Sequence, residues 1–147
     1  MLRRTYDGQD CSLARTLEVV GERWTLLIIR SALLGTTRFD GFLDHLEIAR
    51  TVLTNRLGRL VEHGVMERVP YQERPPRYEY RLTRMGRDLA RAVLVLMQWG
   101  DRHLPSEHGP RRRAEHLGCE GPVVVLPHCA TCDTPIPDDE VQVRPLR

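Results

Sequence analysis

Arg50-Thr51-Val52-Leu53-Thr54-Asn55-Arg56-Leu57-Gly58-Arg59-Leu60-Val61-Glu62-His63-Gly64 repeats its apolar residues at helical spacing, and the residues after it repeat them at strand spacing. Leu53, Leu57, Leu60 and Val61 share one side of a helix over residues 51–63, closed by Gly64. The opposite side carries Thr51, Asn55, Gly58 and Glu62, flanked by Thr54 and Arg59, and has no bulky apolar group. Val65-Met66-Glu67-Arg68-Val69-Pro70-Tyr71 then alternates, as does Tyr78-Glu79-Tyr80-Arg81-Leu82. The charged turn Gln72-Glu73-Arg74-Pro75-Pro76-Arg77 lies between them, which predicts a β-hairpin with a stiff basic tip.

Upstream, residues 12–20 place Leu13, Leu17 and Val20 on one helical face and stop at Gly21. A second helix is expected over residues 22–34; its run Leu26-Leu27-Ile28-Ile29 is apolar nearly all round, which suits the centre of a core. Thr37-Arg38-Phe39-Asp40 reads as a capping box opening a third helix through Leu46. The short turn at residues 47–50 gives the third and fourth helices helix-turn-helix spacing. Thr83 caps a fifth helix over residues 84–104, in which Ala92-Val93-Leu94-Val95-Leu96-Met97-Gln98-Trp99 is apolar on every side. A three-helix cluster covers one face of such a helix, so a second copy of the chain is expected on another. The fold class is therefore mainly α with a small β-hairpin: a winged helix-turn-helix with a long C-terminal dimerisation helix. Residues 1–107 make this domain, and residues 108–147 a basic linker and a Cys/His-containing tail. No internal repeat stands out.

Composition bounds the function. The chain has 147 residues, 41% hydrophobic and 29% charged, as expected of one globular domain with an appendage. It contains no run near the ~20 apolar residues of a membrane span, and the basic residues of positions 1–7 are followed by no apolar stretch, so no membrane partner and a cytoplasmic, nucleoid-associated location are expected. Formal net charge is only +2, but all 22 basic residues are arginine, whose planar fork of donors suits phosphate and guanine. A GC-rich genome explains the same bias. No Ser/His/Asp set, phosphate loop or dinucleotide fingerprint occurs, and a non-enzyme is expected.

A short polar helix face fits a major groove about 12 Å wide. Arg50, Thr51, Thr54, Asn55, Arg56 and Arg59 are the candidates for base edges and flanking phosphates of double-stranded DNA, although an ordinary solvated helix face would look the same. Arg74 and Arg77 bracket Pro75-Pro76 at the hairpin tip, placed for a backbone or minor-groove contact. Arg38 stands at a helix start, where cations and helix N-termini meet phosphate. A module whose helix face binds another protein is the competing reading.

The ordered set of these stretches resembles the HxlR-type winged-helix regulators, relatives of the MarR-like proteins. The residues that carry the resemblance are Cys11, then Gly21-Glu22-Arg23-Trp24-Thr25-Leu26-Leu27-Ile28-Ile29-Arg30, Arg38-Phe39-Asp40, Leu53-Thr54-Asn55-Arg56-Leu57 with Leu60, Tyr71, Pro75-Pro76-Arg77-Tyr78-Glu79-Tyr80-Arg81-Leu82-Thr83, Gly86 and Trp99. The match covers roughly residues 11–104. It implies a homodimer whose fourth helix reads operator DNA and whose wing touches the backbone, with repression or activation of nearby genes; repression is the working expectation. Ala49 stands where the family usually has a Ser cap, and Gly58 where a basic or polar residue is common. The resemblance also makes Cys11 a candidate oxidant or electrophile sensor, with Arg15 as the nearby charge that would favour its thiolate; an inert, partly buried cysteine is the alternative. A small-molecule effector between the long helices of two subunits is a further expectation of partner.

Of four cysteines, three lie near the C-terminus. His116-x-x-Cys119, nine residues, then Cys129-x-x-Cys132 offers a Cys₃His set suited to structural Zn²⁺, with His128 competing as the fourth ligand. The tail resembles the small ribbon-like extension carried by some members of the family. A vestigial site without metal and a Cys129–Cys132 redox pair are alternatives. The zinc-deaminase pattern is absent: Gly118 stands where its glutamate is needed, and His128 separates Pro127 from Cys129.

Overall fold

The computed structural model describes residues 5–145, so the expectation drawn from positions 1–7 rests partly on residues outside the described ones. The chain runs α1 (Ser12–Val20), α2 (Thr25–Leu33), α3 (Phe39–Leu46), α4 (Arg50–Glu62), β1 (Met66–Glu73), β2 (Pro76–Leu82), α5 (Arg84–Asp88), α6 (Ala90–His103), β3 (His128–Cys129), β4 (Thr134–Pro135) and a 3-10 turn at Asp138–Glu140. It divides into two compact units between Val93 and Leu94. The division falls inside α6, earlier than the composition shift near residue 108. Within the second unit, Gln98 Nε2 donates to the Val123 carbonyl at 2.8 Å, which ties the end of α6 to the tail.

The first unit is a winged helix-turn-helix. Ile28 and Ile29 of α2, Phe42 of α3, and Leu53 and Leu57 of α4 are fully buried, with Leu60, Val65 and Met66 almost so. Three of the four residues assigned to the inner face of the fourth helix are thus in the core, and Val61 is half-buried. The α3–α4 turn is tight because Glu47 adopts the left-handed conformation (φ 50°) and its N–H bonds the Leu43 carbonyl at 3.0 Å. Ile48 then plugs the turn into the core.

Four boundaries differ from the sequence reading. The second helix starts at Thr25, not residue 22, because Trp24 turns left-handed (φ 79°) and Gly21 to Arg23 form the connection. The capping box at Thr37 does not form: Arg38 is the cap, without a side-chain bond. The Thr37 carbonyl instead accepts from Tyr80 N–H at 2.7 Å, and Arg38 forms an isolated antiparallel bridge with Glu79 of β2. The hairpin turn is shorter than residues 72–77. Gln72 pairs with Arg77 and Glu73 with Pro76, a bulge at Tyr71 absorbs the mismatch, and Arg74-Pro75 alone form the tip. The fifth helix breaks at Leu89 into α5 and α6; the predicted cap holds, since Thr83 Oγ1 accepts from Gly86 N–H at 3.2 Å.

The tail contains a repeat that the sequence reading missed. Residues 114–123 and 127–136 form two hairpins in which every position corresponds to the one 13 residues later. Glu115 pairs with Pro122 as His128 pairs with Pro135. Val123 N–H bonds the Ala114 carbonyl, and Ile136 N–H the Pro127 carbonyl, both at 2.9 Å. Glu120 (φ 58°) and Asp133 (φ 55°) both turn left-handed. Few side chains match between the hairpins apart from the cysteine, acid and proline of each turn, which is why composition hid the repeat.

Candidate nucleic-acid interface

The wing, the start of α3 and the start of α4 enclose an open groove of about 720 Å³ lined by Arg38, Arg50, Arg77, Tyr71, Tyr78 and Phe39 among others. Two of its arginines are held on aromatic rings. Arg38 Cζ lies 4.5 Å from the Tyr71 ring centroid and Arg50 Cζ 5.1 Å from that of Phe39. On the wing, Arg68 lies 4.1 Å from the Tyr78 ring. Stacking fixes a planar guanidinium while sparing its donors for an anion. Carboxylates moderate the charge: Asp40 lies 3.7 Å from Arg50, and Glu79 3.6 Å from Arg38 and 2.7 Å from Arg81. The Arg81 guanidinium foremost, and Arg38 after it, hold the Glu79 carboxyl below its ordinary value of 4.5.

On α4 the structure separates the expected site residues into two sets. Arg50, Thr51, Thr54, Asn55 and Gly58 are exposed. Thr54 Oγ1 donates to the Arg50 carbonyl at 2.9 Å and Asn55 Oδ1 accepts from Arg56 at 3.0 Å. Arg56 and Arg59 are half-buried and turn toward the α1–α2 connection. Arg59 donates to Glu22 Oε1 at 3.1 Å and to the Glu18 carbonyl at 3.3 Å, and Arg56 pairs with the other oxygen of Glu22. Sequence periodicity placed Arg59 at the margin of the outward face; it did not show that a carboxylate from the preceding connection would claim it. Arg74 and Arg77 at the wing tip are exposed. The aromatic platforms under Arg38 and Arg50 went unnoticed in the sequence, where nothing in the spacing of Tyr71 and Phe39 pairs them with these arginines.

Cys11 is exposed and caps α1, its Sγ accepting from Ala14 N–H at 3.3 Å. Arg15, expected beside it as an activating charge, is instead paired with Asp10 at 2.9 Å. In the tail, His116 Nδ1 lies 3.3 Å from Cys119 Sγ, and Cys129 Sγ accepts from Cys132 N–H at 3.4 Å. N–H donation from Cys132 and then Thr131 lowers the Cys129 thiol's pKa. The expected four-ligand set is met by halves. Among the described residues no three His, Cys, Asp or Glu side chains are gathered to hold a metal, because each hairpin closes on itself through its own backbone bonds.

The HxlR-like helix-turn-helix pattern matches residues 19–108. The chain belongs to the HxlR-like family. It is 47% identical over 131 residues to the uncharacterized HTH-type transcriptional regulator Mb3122 of Mycobacterium bovis, covering 87% of this chain and 82% of that one. Among solved structures it is similar to the candidate transcription factor PA1607, with a TM-score of 0.81, 34% identity and coverage of 94% and 96% of the two chains. The redox regulator HypR in its reduced form aligns with a TM-score of 0.59 and 32% identity over 64% of this chain and 96% of HypR. The HxlR-like chain is a DNA-binding helix-turn-helix transcriptional regulator, of a family of regulators and not of enzymes. Among the described residues no helix is long and apolar enough to cross a membrane.

Proposed function

We propose that this HxlR-like protein acts as a homodimer that occupies operator DNA and represses the genes beside it. The observation that carries the reading is the exposed face of α4, with Thr51, Thr54 and Asn55 beside a groove of ring-stacked arginines. Thr51, Thr54 and Asn55 address base edges in the major groove, Asn being suited to adenine. Arg38 and Arg50 take backbone phosphates, and Arg74 and Arg77 carry the wing to the adjacent backbone or minor groove. Arg56 and Arg59 position the helix through Glu22. The dimer reading rests on α6, whose Val95, Leu96 and Trp99 lie on one exposed stripe, Leu96 and Trp99 at 53% and 54% exposure. A second α6 related by a two-fold axis would cover that stripe and set two recognition helices about one DNA turn apart.

The test is titration of the full chain against a duplex from its own upstream promoter at several salt concentrations, with sedimentation to count subunits. Tight, sequence-selective binding by a dimer, weakening steeply with salt as counterions are released, supports the reading. Weak, unselective binding that Asn55→Ala leaves unchanged overturns it in favour of a protein-binding winged helix.

A second reading, oxidant control through Cys11, is favoured by the exposure of this helix-capping thiol and by the similarity to HypR. Loss of an oxidant response of DNA affinity in Cys11→Ser supports it; an unchanged response in that variant sinks it.

A further inference from the structure

The repeated hairpins of the tail do more than resemble each other. They place two metal-ligating side chains at the same two positions of each unit: His116 and Cys119 in the first, Cys129 and Cys132 in the second. In both, the residue after the second ligand is left-handed, Glu120 at φ 58° and Asp133 at φ 55°, and neither is glycine. In both, that residue's N–H returns to the carbonyl of the first ligand residue, at 2.8 Å to His116 and 2.9 Å to Cys129. Such a reversal directly after x-x-Cys turns the two side chains of a pair to one side of a tight loop. L-residues rarely adopt the left-handed conformation without a compensating demand on the turn, and here the same demand is met twice.

The first pair already has the spacing of two ligands on one ion. With Zn–S of about 2.3 Å and Zn–N of about 2.0–2.1 Å, the S···N edge of a tetrahedron is about 3.6 Å, and His116 Nδ1 stands 3.3 Å from Cys119 Sγ. In the second pair, the Cys132 N–H donates to Cys129 Sγ at 3.4 Å, so the turn holds the two cysteines against each other. From this duplicated geometry we propose that the tail is a two-hairpin zinc-binding unit in which His116, Cys119, Cys129 and Cys132 share one Zn²⁺. Among the described residues the two pairs are not gathered into one set, so the proposal requires the hairpins to close on the ion, as metal binding and folding are commonly coupled in small sites. On binding, the three thiols release their protons to solvent and the imidazole coordinates as the neutral form. Four protein ligands leave no open position, so the site is structural. The repeat also decides between the two histidines. His128 occupies the position of Glu115 in the other hairpin, outside the ligand pair, and its Nε2 lies 3.4 Å from Asp133.

The experiment is metal analysis of the full chain after exhaustive dialysis, together with Co²⁺ titration of the chelator-stripped protein followed by visible spectroscopy. About one zinc per chain, and cobalt bands of a tetrahedral thiolate site, are expected. Cys119→Ser and Cys132→Ser, one in each hairpin, should each abolish tight retention. His128→Ala and Cys11→Ser should retain the full complement. Since a serine variant could lose zinc by unfolding the tail, His116→Cys supplies the complementary test: a fourth thiolate at the ligand position should keep one zinc per chain and intensify the sulfur-to-cobalt charge-transfer band. No zinc and no tetrahedral cobalt spectrum in the wild type overturns the proposal. So does zinc that survives loss of either hairpin's cysteine, or that depends on His128 and not His116.

Discussion

Arg59 of α4 donates to Glu22 Oε1 at 3.1 Å, joining the recognition helix to a residue 37 positions earlier in the chain. Arg56, whose side chain is 21% exposed, holds the other carboxylate oxygen. The pair locks the orientation of α4 against the α1–α2 connection, so its loss should act on stability first and on DNA second. Charge-assisted bonds contribute roughly 1.5–3 kcal/mol when well shielded, and partial exposure reduces that. Glu22→Ala is expected to lower unfolding free energy by about 1–2 kcal/mol, and Arg59→Ala by a similar amount. Because the two variants share the Arg59–Glu22 bond, the double variant should cost less than the sum, which chemical denaturation of the four proteins in a double-mutant cycle will measure.

The exposed residues should divide by what they touch. Asn55→Ala is expected to cost about 1–3 kcal/mol on the operator and to relax selectivity at one base pair. Arg77→Ala should weaken binding about equally on any duplex and flatten the salt dependence by about one unit of slope. Competition between operator and scrambled duplex across a salt series separates the two: equal loss on both sequences for Asn55→Ala would show that it contacts only the backbone.

Much of this architecture was legible from period alone. The switch from helical spacing at Leu53, Leu57 and Leu60 to alternation from Val65 onward located α4 and the wing, because burial of one face imposes its period on the sequence. The errors arose where distant partners decided the outcome. Thr37 has the chemistry of a helix cap, but its carbonyl is claimed by Tyr80 on a strand more than forty residues away. Arg59 was readable as polar and near the outer face, yet only the folded chain brings Glu22 to it. The stacking of Arg38 on Tyr71 and of Arg50 on Phe39 likewise depends on how the wing folds back. The tail repeat lives in backbone geometry, with side-chain identity kept at only a few positions.

Glu79 should give the wing a pH signature. Its side chain is 15% exposed, and Arg81 first and Arg38 second hold its carboxyl below the ordinary 4.5. A depressed folded pKa means that the charged form is favoured by folding. The contribution is therefore complete above the unfolded value and is lost as pH falls through the folded one. Glu79→Gln should melt below the wild type at neutral pH, and the gap should close as the solution is acidified below about 4.5, the ordinary value of the group. A gap that persists undiminished in acid would mean that the side chain's shape, and not its charge, is what matters.

Two glycines should respond in opposite directions to the same added methyl group. A Cβ on Gly86 would stand 2.1 Å from the Val65 carbonyl oxygen and 2.9 Å from Leu82 Cδ2. That carbonyl cannot withdraw freely, because it accepts from Thr83 N–H at 3.1 Å while Thr83 Oγ1 donates to the neighbouring Gly64 carbonyl at 2.6 Å. Gly86→Ala must push α5 off the start of β1, at a cost of about 3 kcal/mol, the upper end for overpacking. Gly58 lies within α4, and a Cβ there meets nothing within 4 Å. Gly58→Ala should raise stability by about 0.5–1 kcal/mol through helix propensity alone. Thermal melts of the two variants beside the wild type check both signs, and a destabilised Gly58→Ala would show that the outer face of α4 is already covered in the assembled protein.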